Sequence, residues 1–310
     1  MLRFIVKRIV WTIPVILLVI LLTFGMMKLI PDSPFRHERT VHPTLYAQLE
    51  RQFNLDKPWY LQYIYYVKDV FTFDLGASMR SRNLDVNDVI KEHFPVSLEL
   101  GGLALLFAVV VGIPLGTMAA LRPKSVFDYG AMAVVNAGYG LPNFLVATLL
   151  IYFFAVRWAA YTPFPTHGWA GWESRVLPAI ALGLLPLAVL SQLVRGAMLE
   201  TLQADYVRTA KAKGLHWRRV VCRHVLRNSL IPAVTAIGPL IGYLIAGSFI
   251  VETIFGIPGI GRYFIIAVGS HDYTVVMGIT VLLSLMIITA NLIVDILYGY
   301  LDPRTRDLRT

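Results

Sequence analysis

The sequence predicts an all-α, polytopic membrane protein of about six transmembrane helices, and three observations carry that expectation. Hydrophobic residues make up 56% of the 310 residues and charged ones only 15%, with a mean hydropathy of +0.63, far from the average of soluble domains. Stretches at 9–30, 97–121, 129–156, 176–193, 230–251 and 275–300 are apolar enough to cross a bilayer as helices, which takes about 20 residues each. The net charge of +9 is also sided. Lys and Arg crowd the start (Arg3, Lys7, Arg8), a short loop (Arg122, Lys124), a long loop (Arg195, Arg208, Lys211, Lys213, Arg218, Arg219, Arg223, Arg227) and the tail (Arg304, Arg306, Arg309). Six crossings put those four regions on one face, and the positive-inside rule makes that face, with both termini, cytoplasmic.

Residues 1–30 begin like a secretory signal, but the apolar run is too long and no Ala-x-Ala site follows, so they read as an uncleaved first transmembrane helix. Residues 31–95 form a polar extracytoplasmic segment in which acidic residues slightly outnumber basic ones. Its runs at 45–53 and 59–73 read as amphipathic helices, with Tyr60, Ile64, Val67 and Phe71 at helical spacing, and predict a helical cap on the outer mouth. Residues 96–310 hold the other five transmembrane helices and the cytoplasmic loop 196–229. Gly112-Ile-Pro-Leu-Gly116, Gly138-Tyr-Gly-Leu-Pro142, Pro186 and Gly238-Pro-Leu-Ile-Gly242 mark hinges or close helix approaches within the spans. The third span is expected to break near Pro142.

Several function classes lose support from what the chain lacks. Cys222 is the single cysteine, so neither an intramolecular disulfide nor a cysteine-cluster metal site is available. No His-Glu-x-x-His, Gly-x-Ser-x-Gly or Cys-x-x-Cys occurs, and the seven histidines are scattered. Phe255-Gly-Ile-Pro-Gly-Ile-Gly261 has the wrong spacing for a dinucleotide fingerprint, and no phosphate-cradling Gly-x-x-x-x-Gly-Lys-Ser/Thr is present. Ionisable residues in or near the spans reduce to Lys28, Glu99, Glu252 and Asp295, the last expected near the interface or paired in the bundle. A secondary carrier or channel usually needs internal repeats or buried charges, and a membrane enzyme a catalytic cluster; the chain shows neither, and an ATP-independent secondary carrier remains the lesser alternative.

The loop at 196–229 carries eight Lys and Arg, counting Arg195 at its edge, against Glu200 and Asp205. It reads as two short helices. Leu202, Tyr206, Thr209, Ala210 and Lys213 trace one face of the first, Gly214 supplies a left-handed stop, and residues 217–227 form the second. Two uses fit: a blunt helical end that enters a groove on a soluble partner, or a basic surface bound to lipid headgroups.

Several ordered motifs, spread over nearly the whole chain, give a resemblance. They are Phe73-Asp-Leu-Gly76-x-Ser78, Asp205-Tyr-Val-Arg-Thr-Ala-Lys-Ala-Lys-Gly214, Leu226-Arg-Asn-Ser-Leu-Ile-Pro232, Val251-Glu-Thr-Ile-Phe-Gly-Ile-Pro-Gly-Ile-Gly261 and Leu301-Asp-Pro-Arg-Thr-Arg306. In these the chain resembles the membrane subunits of binding-protein-dependent ABC importers, in particular the dipeptide/oligopeptide/nickel group. The resemblance implies the type I ABC importer permease fold. It puts Arg208, Thr209 and Ala210 in the first three places of the family's Glu-Ala-Ala-x-x-x-Gly motif and Gly214 in the last, with only Ala210 and Gly214 matching its general form.

By that resemblance Tyr206, Val207, Arg208, Thr209, Ala210, Lys211, Ala212, Lys213 and Gly214 form a coupling helix seated on an ATPase. The expected partners are a homologous second permease subunit, two ATPase subunits or domains, an extracytoplasmic substrate-binding protein and membrane lipid, with no nucleic acid. ATP and Mg would be used by the partners, this chain binding no cofactor, in a bacterial or archaeal cytoplasmic (inner) membrane. The function implied is a pore-forming subunit that imports di- or oligopeptides by alternating access. The alternative that the resemblance implies is a permease of the same group that imports nickel chelates, glutathione or another small solute. Asn136, Tyr139, Asn143, Gln192 and Glu252 are the polar candidates for the pathway, since amide and hydroxyl groups suit a repeating peptide backbone; helix packing and interface anchoring are the other reading of each.

Overall fold

The computed structural model of the chain describes residues 2–29, 51, 53–81 and 84–301. The expected helix at 45–53 for the most part, the tail beyond 301 and the Asp295 side chain lie outside the described residues. Described in chain order, the helices are α1 (Leu2–Leu29), α2 (Trp59–Phe71), α3 (Val86–Leu121), α4 (Val126–Gly140), α5 (Asn143–Leu150, running on as a π-helix, Ile151–Arg157), α6 (Glu173–Thr201), α7 (Asp205–Ala212), α8 (Trp217–Ser229), α9 (Ile231–Phe255), α10 (Ile260–Gly269) and α11 (Tyr273–Leu301). No β-strand is present among the described residues.

Four of these, α1, α3, α6 and α11, are each long and apolar enough to cross a membrane, and bent pairs raise the number to as many as seven. The six expected spans fall on α1, α3, the α4–α5 pair, α6, α9 and α11. The α4–α5 pair bends by 111° at Leu141-Pro142, where both residues are extended and Pro142 opens α5 with φ −61°. That is the break expected near Pro142, because a proline denies the preceding residue the helical region.

Helix α3 starts earlier than expected. Asp85 caps it by accepting the Asn87 N–H at 2.9 Å, and Val86 and Val89 are already buried. Pro95 therefore lies inside the helix instead of closing the outer segment. One missing backbone hydrogen bond, at a cost of about 3 kcal/mol, is outweighed by the packing of a 36-residue helix.

The centre of the bundle is the parallel pair α3 and α6, packed together along most of their length. A Cβ on Gly112 would stand 2.9 Å from the Leu187 carbonyl, and one on Gly116 would stand 2.4 Å from that of Ser191. Only glycine permits that backbone approach, and Ser191 Oγ donates to the Gly112 carbonyl at 3.0 Å. Around the pair lie two clusters, one at the basic end including Ala120, Val194, Met198 and Val225, and one at the other end including Leu100, Leu182, Val251 and Phe255.

Helix α1 is peripheral and packs on α11 and α2. The packed face of α2 differs from the expected one. Tyr66 is buried with Ile20, Phe24, Met277 and Val281, flanked by Tyr63, Val67 and Val70, and Tyr63 OH donates to the Leu17 carbonyl at 3.1 Å. Tyr60, Ile64 and Phe71 are more than half exposed. Apolar residues surround this helix on all sides, so periodicity alone did not select a face. The one polar residue turned inward, Gln62, is satisfied by the Leu55 and Lys57 carbonyls at 3.2 and 2.6 Å.

Candidate coupling surface and polar pathway

At the basic end, α6 runs out at Thr201 and the chain turns into α7. Val207 and Ala210 are buried in the cluster that holds Val194, Met198, Val220 and Val225. Tyr206, Arg208, Thr209, Lys211, Ala212, Lys213 and Gly214 are exposed. The face expected from Leu202, Tyr206, Thr209, Ala210 and Lys213 is thus rotated: Ala210 belongs with Val207 on the inward side. Apolar or small positions come only as the pairs Tyr206-Val207 and Thr209-Ala210 and the lone Ala212, too few to fix the phase of an eight-residue helix. The left-handed stop lies where expected, with Gly214 at φ +74°, the Gly214 N–H on the Lys211 carbonyl at 3.0 Å and the Leu215 N–H on that of Ala210 at 3.3 Å.

Helix α8 folds back over α7 and buries Val220, Val221, Val225 and Ser229. Asn228 Nδ2 donates to the Tyr206 hydroxyl at 2.9 Å, Ser229 Oγ to Thr201 Oγ1 at 3.2 Å, and Lys211 Nζ stands 4.3 Å from the Trp217 ring centroid. A hairpin of two helices therefore caps the end of α6, holding itself by its inner face and leaving a cationic outer surface.

An ion pair not foreseen in the sequence braces this region. Arg195 on α6 donates through Nε and Nη2 to both carboxylate oxygens of Asp128 on α4, at 2.6 and 2.7 Å, and Asp128 is 1% exposed. The Lys124 N–H adds a third bond at 3.0 Å. The available signal was a lone acid at the start of an apolar stretch, which demands a partner.

Of the pathway candidates, four lie along α4, its break and the facing helix. Gln192 Nε2 donates to Asn136 Oδ1 at 2.9 Å, Tyr139 is 56% exposed, and Asn143 Oδ1 accepts from the Tyr243 hydroxyl at 2.8 Å. Glu252 stands apart and is wholly enclosed. Ser97 Oγ donates to its Oε1 at 2.7 Å and the Arg262 N–H to its Oε2 at 2.9 Å, while Ser97 also accepts the Ile260 N–H at 2.8 Å. The carboxylate closes the N-terminus of α10, where unpaired amides and the helix dipole favour an anion. Gly259 and Gly261 make room for it, since a Cβ on Gly259 would stand 2.5 Å from the Glu252 carboxyl carbon and one on Gly261 3.0 Å from Oε2.

The Phe73 to Ser78 motif has a mechanical use at the same end. Phe73 and Gly76 take positive φ, +57° and +80°, which brings Ser78 Oγ to donate to Asp272 Oδ2 beside the start of α11. The Met79 N–H reaches Asp272 Oδ1 at 3.1 Å and Arg80 Nε the Ser270 carbonyl at 2.6 Å. Glu99, singled out in the sequence, pairs with Arg175 at 2.6 Å.

The fold has solved counterparts. A structure described as an inward-facing conformation of the MetNI methionine ABC transporter matches with a TM-score of 0.56 and 18% identity, over 69% of this chain and 96% of that one, which concerns the fold alone. Sequence relatives match end to end. The dipeptide transport system permease protein DppB of Bacillus subtilis is 43% identical over 99% of this chain and 98% of its own length. The oligopeptide transport system permease protein OppB of Escherichia coli is 38% identical over 99% and 100%. Residues 1–101 match the family "Binding-prot-dependent transport system membrane comp, N-term" and residues 112–307 match "Binding-protein-dependent transport system inner membrane component". With both family matches, end-to-end relatives and a many-spanned helical bundle in agreement, this chain belongs to the inner membrane components of binding-protein-dependent transport systems.

Proposed function

We propose that the chain forms half the pore of an ATP-driven importer of di- or oligopeptides in a bacterial or archaeal inner membrane, opposite a homologous permease subunit. The observation that carries this reading is α7: a short helix that buries only Val207 and Ala210 against its own chain, with Arg208, Thr209, Lys211, Ala212 and Lys213 turned outward. Such an end suits a groove on a soluble ATPase, two of which would use ATP and Mg. The end-to-end likeness to permeases named for dipeptide and oligopeptide transport supports the substrate class.

The mechanism follows from how α7 is connected. ATPase closure moves α7; Val207 and Ala210 pass the displacement to α6 through Val194 and Met198. The Asp128–Arg195 pair ties the end of α6 to α4, and α4 carries Asn136 and Tyr139 toward the break at Pro142. Outward and inward openings then alternate, with a substrate-binding protein delivering peptide at the opposite end. The amide and hydroxyl groups of Asn136, Gln192, Tyr139 and Asn143 would meet a peptide backbone without selecting its side chains. Proteoliposomes holding the chain with its co-purifying subunits test the reading. Labelled di- and tripeptides should accumulate only with ATP and the binding protein, and ATP-independent solute movement by the purified chain would refute it.

A further inference from the structure

The coupling hairpin carries two cationic surfaces of different chemistry. On α7 the outward cations are Arg208, Lys211 and Lys213, and on α8 they are all arginine. Arg219, Arg223 and Arg227 recur every four residues, form one row along the helix and are all exposed. Val220, Val221 and Val225 occupy the buried side. None of the three arginines has a carboxylate partner among the described ion pairs, which occupy Arg175, Arg195 and Arg208 instead.

The position of the row decides what it meets. Helix α8 runs through a bend of 43° into α9, whose chain from Ile231 onward is the apolar span. The row therefore ends within one turn of the point where the chain enters the hydrocarbon. A guanidinium matches a phosphate with two parallel N–H donors and gives up its hydration more readily than an ammonium. An unpaired arginine row on an amphipathic helix at that depth, on the face with the negative surface potential, fits anionic phospholipid.

We propose that Arg219, Arg223 and Arg227 bind the headgroups of anionic phospholipids of the cytoplasmic leaflet, so that α8 is moored to the membrane surface while α7 is left to its protein partner. Transmission of force through α7 then has a fixed point to act against: the hairpin pivots on α8 rather than sliding as a whole.

The test uses the chain purified with whatever subunits accompany it, stripped of lipid in detergent and offered equal amounts of dioleoylphosphatidylglycerol and dioleoylphosphatidylcholine. Native mass spectrometry reads the retained lipid. The wild type should retain phosphatidylglycerol preferentially, the preference should weaken with salt, and each arginine changed to glutamine should lower it by about fivefold. The Arg219→Lys, Arg223→Lys, Arg227→Lys variant keeps the charge and should keep a reduced preference, which serves if the triple glutamine variant does not fold. Equal retention of the two lipids, a preference that salt leaves unchanged, or an undiminished preference in a folded triple glutamine variant would overturn the proposal. So would a triple variant that keeps its lipid but sheds an ATPase subunit, because the row would then be a protein interface.

Discussion

The two ends of the bundle treat their polar groups in opposite ways. At the end holding α10, charge is spent inside the chain: Glu252 takes up Ser97 and the Arg262 N–H, and Asp272 takes up Ser78 and the Met79 N–H. At the basic end one ion pair, Asp128–Arg195, is internal, and the remaining cations of the α7–α8 hairpin point outward. At the first end the two buried carboxylates are satisfied within the chain, and at the second the exposed cations are left open. The proposed coupling role would ask for this contrast: contact groups left unsatisfied where soluble partners would bind, and the opposite end locked so that motion is not dissipated there.

Substitutions at the locked end should therefore cost stability, and those at the open end should cost assembly. The largest stability effect is expected for Glu252→Ala, which strands Ser97 and the first amides of α10 in a site closed to water. Two such groups at about 1–3 kcal/mol each predict a loss of roughly 3 kcal/mol, seen as a lower unfolding temperature and yield. Glu252→Gln keeps one acceptor and should lose about half as much. An Ala variant as stable as the wild type would remove the contrast between the ends.

Asp128→Ala comes next, at about 2 kcal/mol. Breaking a buried pair costs more, but Arg195 is 30% exposed at its side chain and recovers part of its hydration. The double variant with Arg195→Ala should be less destabilised than the sum of the two singles; strict additivity in a thermal-unfolding cycle would deny the pair its bracing role. Gly214→Val should cost about 1 kcal/mol, entirely from the left-handed backbone, because a Cβ there meets open space. Calorimetry giving no loss would mean that the turn relaxes.

The local features of this fold were legible in the sequence, and the partnerships across it were not. Hydropathy gave the spans, Pro142 the break in the third, Gly214 the stop of α7 and the Gly112/Gly116 spacing the close approach to α6, since each depends on residues within a few positions. The phase of α2 was not legible, because apolar residues surround it; in α7, Val207 and Ala210 do stand apart from Asp205, Arg208 and Lys211, but the pattern spans only eight residues and Tyr206 and Thr209 compete with it. Asp128 and Arg195 are 67 positions apart, Ser97 and Glu252 155, and Ser78 and Asp272 194; no local pattern announces such pairs. The motif Phe73 to Ser78 was visible as a family likeness, but its use as a clamp on Asp272 needed the fold.

The smallest effect on stability is the most telling about function. Ala212 lies on the outward face of α7, so Ala212→Arg should shift unfolding by less than about 0.5 kcal/mol. Pull-down of the tagged variant in mild detergent, with the recovered subunits quantified by mass spectrometry, tests the central claim most directly. The second permease should be recovered as with the wild type while the ATPase subunits fall by more than about tenfold. Recovery of the ATPase at the wild-type level would contradict the assignment of α7 as the coupling surface.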